Sequence, residues 1–277
     1  MSGPGGIVGH SAQVQTLLAL LERVAVTDTP LLIVGEPGTY KEAFADAVHQ
    51  KSRRRGAPFL SVDCGGPEGE GLEIELFGDE RGGTAELEGF KKGAFEAASG
   101  GTVFLGEVGE LSVELQAKVL RAIERGQIRR LGGVSPVTVD ARIIASTSCG
   151  LRADLEKKQI REDFYYRLTT LQIRLPPLRE RLEDIPALVE SIVEDLGLAG
   201  SAGGAALLTP DFLDKLARYA WPGNLRQLRH HVERCAALGD VTLQPSMDKF
   251  PPMSGSFRIA PALDSLKQLR VARKISE

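Results

Sequence analysis

The chain is poor in cysteine and in aromatic residues. Its 277 residues include three cysteines and one tryptophan, and Phe, Trp and Tyr together make up 5%. Cys64, Cys149 and Cys235 are odd in number and far apart, with no C-x-x-C pair. That spacing argues against a disulfide framework and predicts a reduced, cytoplasmic protein with buried thiols. The histidines offer no metal-ligand spacing: His230 and His231 are adjacent, so on a helix they point in different directions. No apolar run approaches the roughly 18 residues of a membrane span. The opening Met1-Ser-Gly-Pro-Gly-Gly lacks the basic and apolar regions of a secretory signal. Charge of one sign is also missing. Lys and Arg number 34 against 37 Asp and Glu, and the net −3 gives no general pull toward nucleic acid or membrane.

Glycine is plentiful, at 31 residues, which predicts many tight turns and close backbone approaches. Val14, Leu17, Leu18, Leu21 and Val24 recur at helical spacing, so 11–26 is expected to be an amphipathic helix with Ser11 as N-cap. Thr27-Asp-Thr-Pro30 ends it. Leu31–Val34 reads as a buried strand, followed by a Gly-containing loop and a helical pattern from Ala43 to His49. Further buried strands are expected at Phe59–Val62, Thr102–Leu105 and Arg142–Ala145, with helical patterns between them, including Val113–Glu124. Strands buried on both faces and alternating with helices imply a parallel sheet in an α/β fold. From about Glu183 the pattern turns helical: Asp184–Leu196, Pro210–Ala220 and Asn224–Ala237, with Gly197–Gly204 read as a flexible loop. The expected division is an α/β domain over 1–178, a helical domain over 179–240 and a tail over 241–277. From Lys249 to Glu277 the tail has six basic residues and two acids, a charge run read as a solvated face.

The loop after the first strand, Gly35-Glu-Pro-Gly-Thr-Tyr-Lys-Glu42, resembles G-x-x-x-x-G-K-[ST], whose backbone amides cradle phosphates while the Lys reaches them. Gly35 and Lys41 agree; Tyr40 replaces the second Gly and Glu42 the Ser or Thr. By itself this loop is also compatible with an ordinary strand-to-helix turn.

Other motifs follow in order: Ile7-Val-Gly9, Glu75-Leu-Phe-Gly78, Gly101-Thr-Val-Phe-Leu105, Glu107-Val-Gly-Glu-Leu111, Gln116–Arg121, Arg142–Ala145, Arg161–Leu168, Arg174–Arg181 and Trp221-Pro-Gly-Asn-Leu-Arg-Gln-Leu228. Together, over about residues 6–240, they resemble the AAA+ central domain of bacterial sigma-54-dependent transcription activators. That resemblance implies a P-loop α/β domain with a three-layer parallel sheet and a small all-α lid. It also implies assembly into a ring, with ATP and Mg²⁺ between subunits and a GAFTGA loop that pushes on sigma-54.

Carried over residue by residue, the resemblance makes Gly35, Glu36, Gly38, Thr39, Lys41 and Glu42 the phosphate-binding loop. The family commonly has Glu at the position of Glu42. Arg226 matches the lid's sensor II, Glu107 the catalytic Walker B Glu, and Arg161 and Arg167 the arginine fingers. Four positions depart. Tyr40 stands where Gly is wanted, so its side chain is expected either to crowd the phosphate pocket or to swing into solvent. Gly106 replaces the Mg²⁺-holding Asp, Ser148 the sensor I Asn, and Asp63 an Asn that holds the catalytic Glu. An Asp has no amide donors, so Asp63 would repel Glu107. The loop tip, Gly82-Gly-Thr-Ala-Glu-Leu87, lacks the Phe-Thr pair that touches sigma-54, and Gly93-Ala-Phe95 falls too late to replace it.

The resemblance therefore implies a pseudo-ATPase acting as a binding or regulatory module, with weak or no ATP binding, a weakened Mg²⁺ site and impaired sigma-54 contact. An active ATP-driven remodeller and a non-functional remnant are the alternatives. A homo- or hetero-oligomeric ring is expected; membrane contact, and DNA binding by this chain alone, are not. Nothing after residue 240 resembles the helix-turn-helix that usually follows.

Overall fold

The central strands form around short apolar runs buried on both faces, Leu31–Ile33, Val103–Leu105 and Ile143–Ala145. In the computed structural model, which describes residues 7–66, 69–81, 91–148, 151–156 and 159–242, the chain runs α1 (Ala12–Ala25), β1 (Leu31–Val34), α2 (Lys41–Gln50), β2 (Phe59–Asp63), α3 (Glu70–Phe77), β3 (Gly78–Asp79), β4 (Lys91–Lys92) and α4 (Ala94–Ala97). It continues through β5 (Thr102–Gly106), α5 (Val113–Arg125), β6 (Gln127–Ile128), β7 (Val137–Thr138), β8 (Arg142–Thr147), α6 (Leu151–Glu156), α7 (Glu162–Leu168) and β9 (Leu171–Arg174). The helices α8 (Ile185–Asp195), α9 (Ala202–Leu207), α10 (Pro210–Ala217) and α11 (Asn224–Leu238) follow.

The main sheet is parallel throughout, in the order β2-β5-β8-β1-β9. The first strand thus lies between the last two, and the crossovers change direction beside it. One face of the sheet packs on α1 and α2 through Leu17, Leu21, Phe44 and Val48; the other covers Leu76, Phe77, Phe95, Val119 and Phe164. A third core, separate from the sheet, joins the last four helices around Trp221, whose indole N–H donates to the Leu216 carbonyl at 2.8 Å. Burying each such aliphatic or aromatic side chain stabilises by about 1.5–3 kcal/mol.

Ser11 caps α1, its hydroxyl accepting from the Val14 amide at 3.3 Å. The expected strands are all present, with β2 and β5 each running one residue further, to Asp63 and Gly106, and β8 two, to Thr147. α2 begins two residues earlier, at Lys41. The stretch Gly197–Gly204 is not the flexible loop its composition suggested. It turns at Gly197 and Gly200, and α9 starts at Ala202 with Ser201 as its cap. Gly204 is buried, and a Cβ there would lie 2.2 Å from the Leu198 carbonyl oxygen, so the small residues serve close packing. The edge strand β9 escaped the pattern because only Ile173 is fully buried in it.

Candidate functional site

In open parallel sheets ligands bind at the carboxyl ends of the strands, where the crossovers change direction. Here that place lies beyond β1 and β8, and the predicted residues converge on it. Gly35 follows β1 and its amide donates to the Thr147 carbonyl at 3.1 Å. Lys41, 9% exposed, opens α2 and points back: Nζ donates to the Gly35 carbonyl at 2.8 Å and to Ser148 Oγ at 2.7 Å, and pairs with Glu107 Oε1 at 2.8 Å. Ser148, just past β8, donates to Glu107 twice, from Oγ to Oε1 at 2.6 Å and from its amide to Oε2 at 2.7 Å.

Glu107 is thus held on both oxygens. Burial pushes its carboxyl up, but the bonds from Lys41 and Ser148 and the Lys41 charge outweigh burial and hold it below the usual range. Its backbone sits at φ 50°, in the left-handed region that costs a non-glycine residue about 1–2 kcal/mol. Strain of this kind persists where surroundings over-determine a residue.

The loop 36–40 is clasped by the helical part of the chain. Arg179 grips Glu36 with two bonds, 2.7 and 2.6 Å, which hold that carboxyl below its ordinary range. Asn224, fully buried at the start of α11, donates to Glu36 Oε2 at 3.3 Å and the Pro37 carbonyl at 3.0 Å, and accepts from the Leu178 amide at 2.8 Å. The Arg226 amide donates to the Gly38 carbonyl at 3.2 Å. Gly38 has φ +82°, and a Cβ there would sit 2.1 Å from the Gly223 oxygen, so this position requires glycine. Thr39, buried, bonds back to the Glu36 carbonyl at 2.8 Å, while Glu42 is exposed.

Tyr40 closes the loop and is exposed. Its φ of 60° and ψ of 50° explain the site's preference for glycine by backbone conformation. Burial pushes its hydroxyl above the usual tyrosine range, and the charges acting on it are Arg229, Arg226 and Glu233 of α11 and Asp195 at the end of α8. The residue is 38% exposed. The roles of Arg179 and Asn224 were missed from sequence: both fall inside conspicuous motifs, but their targets lie more than 140 positions away.

Gly106 offers no side chain. Asp63 is its register partner on β2, exposed, with Oδ1 accepting from the Gly65 amide at 3.0 Å. Asp63 and Glu107 do not face one another in any bond; Glu107 turns instead to Ser148 and Lys41. Among the described residues no group of three or more His, Cys, Asp or Glu could hold a metal ion alone. The site's donors fit Mg²⁺ only in its usual phosphate-bound form, with one or two carboxylates and the remaining places filled by phosphate oxygens and water.

Arg161 and Arg167 lie at the two ends of α7 and are exposed. Arg161 pairs with Asp163 through bonds of 3.0 and 2.7 Å, an exposed pair worth little. The side chain of Arg226 is exposed too. Gly82, Gly83, Thr84, Ala85, Glu86 and Leu87 lie outside the described residues, as does Cys149 and nearly all of the tail. The loop's base is described: β3 pairs with β4, Arg81 bonds Asp79 and Glu70, and Arg130 bonds Glu80 and Glu96. Phe95 is no loop-tip residue. It is fully buried and stacked on Phe77 at 5.5 Å. Cys64 and Cys235 are buried free thiols.

A parallel sheet with a lysine-bearing loop at its switch point, an acid just past β5, two strands away, and a helical lid over the loop defines a P-loop nucleotide-binding fold of the AAA+ kind. Residues 7–174 match the sigma-54 interaction domain, and residues 179–254 match an AAA+ ATPase lid domain. The chain belongs to the sigma-54 interaction domain family of the sigma-54-dependent transcription activators.

It is 42% identical over 235 residues to the Nif-specific regulatory protein of Azotobacter vinelandii, covering 84% of this chain and 44% of that protein. It is 44% identical over 232 residues to the nitric oxide reductase transcription regulator NorR1 of Cupriavidus necator, covering 84% and 45%. The chain therefore spans less than half the length of these relatives. Among solved structures it resembles NtrX from Brucella abortus in complex with ATP, at 34% identity and a TM-score of 0.78 over 95% of this chain and 60% of that one. No helix among the described residues is long and apolar enough to cross a membrane.

Proposed function

We propose that this chain is a regulatory module of the sigma-54 activator class, impaired in ATP hydrolysis and binding nucleotide weakly. In this reading residues 1–178 are the nucleotide-binding part, 179–240 the lid and 241–277 a tail. The observation that carries it is the state of Glu107 at the Walker B strand end: both of its oxygens are engaged by Lys41 and Ser148, so neither is free to orient an attacking water. Phosphoryl transfer depends on positioning and on charge neutralisation around the metal. Losing several kcal/mol of it slows turnover by a few powers of ten.

Weak nucleotide binding is supported by the position of Lys41, by the helix N-terminus behind it, and by the ATP complex of NtrX. The changed tip at 82–87 supports impaired sigma-54 contact, and the exposed side chains of Arg161 and Arg167 support a retained subunit edge in a homo- or hetero-oligomeric ring. The second reading is an active ATP-hydrolysing remodeller. It is favoured by the survival of Lys41, Glu107, Arg161, Arg167 and Arg226.

Binding of a fluorescent ATP analogue, measured beside phosphate release from Mg-ATP, separates the two. Saturable binding with turnover far below the roughly 1–10³ per second of ordinary enzymes supports the proposal. Turnover within that range establishes the remodeller.

A further inference from the structure

We infer that Asp63 supplies the divalent-cation carboxylate that Gly106 lacks, the acid having moved one strand across the sheet, from β5 to its register partner on β2. The inference rests on the nucleotide-binding reading above and deepens it.

Asp63 and Gly106 pair directly in the β2–β5 register. A Cβ built on Gly106 would have Asp63 Oδ1 and the Val62 carbonyl oxygen as its nearest neighbours, each at 3.6 Å. The side chain of Asp63 therefore already borders the space into which an acid at 106 would grow. It stands at the carboxyl end of its strand, exposed, beside the Glu107 strand end: a Cβ on Gly65 would touch Asp63 Oδ1 at 3.4 Å and Glu107 Cβ at 3.5 Å.

Its one side-chain hydrogen bond among the described residues is the Gly65 amide on Oδ1. A carboxylate has about four acceptor sites, so Oδ2 is left for a ligand. Glu107 is no rival, since Lys41 and Ser148 take both its oxygens. One carboxylate is adequate, because Mg²⁺ at a nucleotide keeps several waters and takes phosphate oxygens for the rest. Moving the acid one strand displaces it by about 4.8 Å, to the side of β5 away from β1, so in this assignment a metal-bound water spans the gap. The same assignment accounts for a charged Asp at 63, which is of no use as a donor to Glu107.

The test is the affinity of the full chain for a fluorescent ATP analogue, with Mg²⁺ and with EDTA. The native chain is compared with Asp63→Asn, Asp63→Ser and the exchange variant Asp63→Asn/Gly106→Asp, and thermal melts verify folding. The expected result is that Mg²⁺ tightens native binding by about tenfold or more. Both single variants lose that gain while keeping the native affinity in EDTA, and the exchange variant regains it.

If the folded single variants keep the full Mg²⁺ effect, or the native chain binds without any, the inference fails and the proposed function stands. If the native chain binds the analogue in neither condition, nucleotide binding fails and the inference with it.

Discussion

Lys41 and Glu107 lie 2.8 Å apart in a pocket where water reaches only the acid's outer third. Because the folded-state carboxyl of Glu107 lies below its ordinary 4.5, it contributes stability that is present above that pH and lost as pH falls through the folded value. Lys41→Met removes one bond and the neighbouring charge, and burial then dominates. Thermal midpoints between pH 3.5 and 7 should show a smaller acid-side loss in the variant and a lower midpoint at pH 7. An unchanged profile would mean that the pair does not couple to folding. Gly38 gives a sharper case. Alanine there meets both a left-handed φ and the Gly223 carbonyl, so Gly38→Ala should destabilise by at least about 1 kcal/mol in urea unfolding.

At the scale of elements, the joint between the P-loop and α11 rests on Asn224. Asn224→Ala leaves the buried Leu178 amide without an acceptor and the Pro37 carbonyl without its donor. An unsatisfied buried group costs about 1–3 kcal/mol, and hydrogen exchange at Leu178 should speed up before the sheet amides do. The core of the lid helices has its own pH response. His231 is packed against Phe212 and Trp221, and burial, helped by the Arg234 charge, pushes it from 6.5 down to about 4. The unfolded chain takes up that proton first, so lid stability is lost as pH falls from about 6.5 to about 4. His231→Leu should flatten the thermal midpoint across that window; an unaltered slope would assign the loss to other groups.

These elements also show what sequence could carry. The strands β1, β5 and β8 were legible because uninterrupted apolar runs leave few alternatives, and Lys41, Glu107 and Ser148 were legible as motif positions. The ring of bonds among those three was not, because it joins the start of α2 to the ends of β5 and β8. Gly204 misled because a glycine required by close packing and one in a loose linker look the same in sequence.

On the scale of the whole molecule, a conserved-looking frame carries an altered centre. Sheet and lid are those of a sigma-54 interaction domain with its AAA+ lid, while the four positions that the proposed function reads as departures, Tyr40, Asp63, Gly106 and Ser148, adjoin the phosphate-binding loop and the ends of β2, β5 and β8. If the frame is sound, restoring those four positions should restore chemistry. The most direct measurement is steady-state phosphate release from Mg-ATP over a range of protein concentrations, for the native chain and for the combined Tyr40→Gly, Asp63→Asn, Gly106→Asp, Ser148→Asn variant. The native chain is expected to turn over at less than about 0.01 per second, a hundredfold below the low end of ordinary enzymes. The variant is expected to gain at least tenfold, with specific activity rising with concentration as a ring assembles. Native turnover near 1 per second or above, or a folded variant with no gain, would contradict the account.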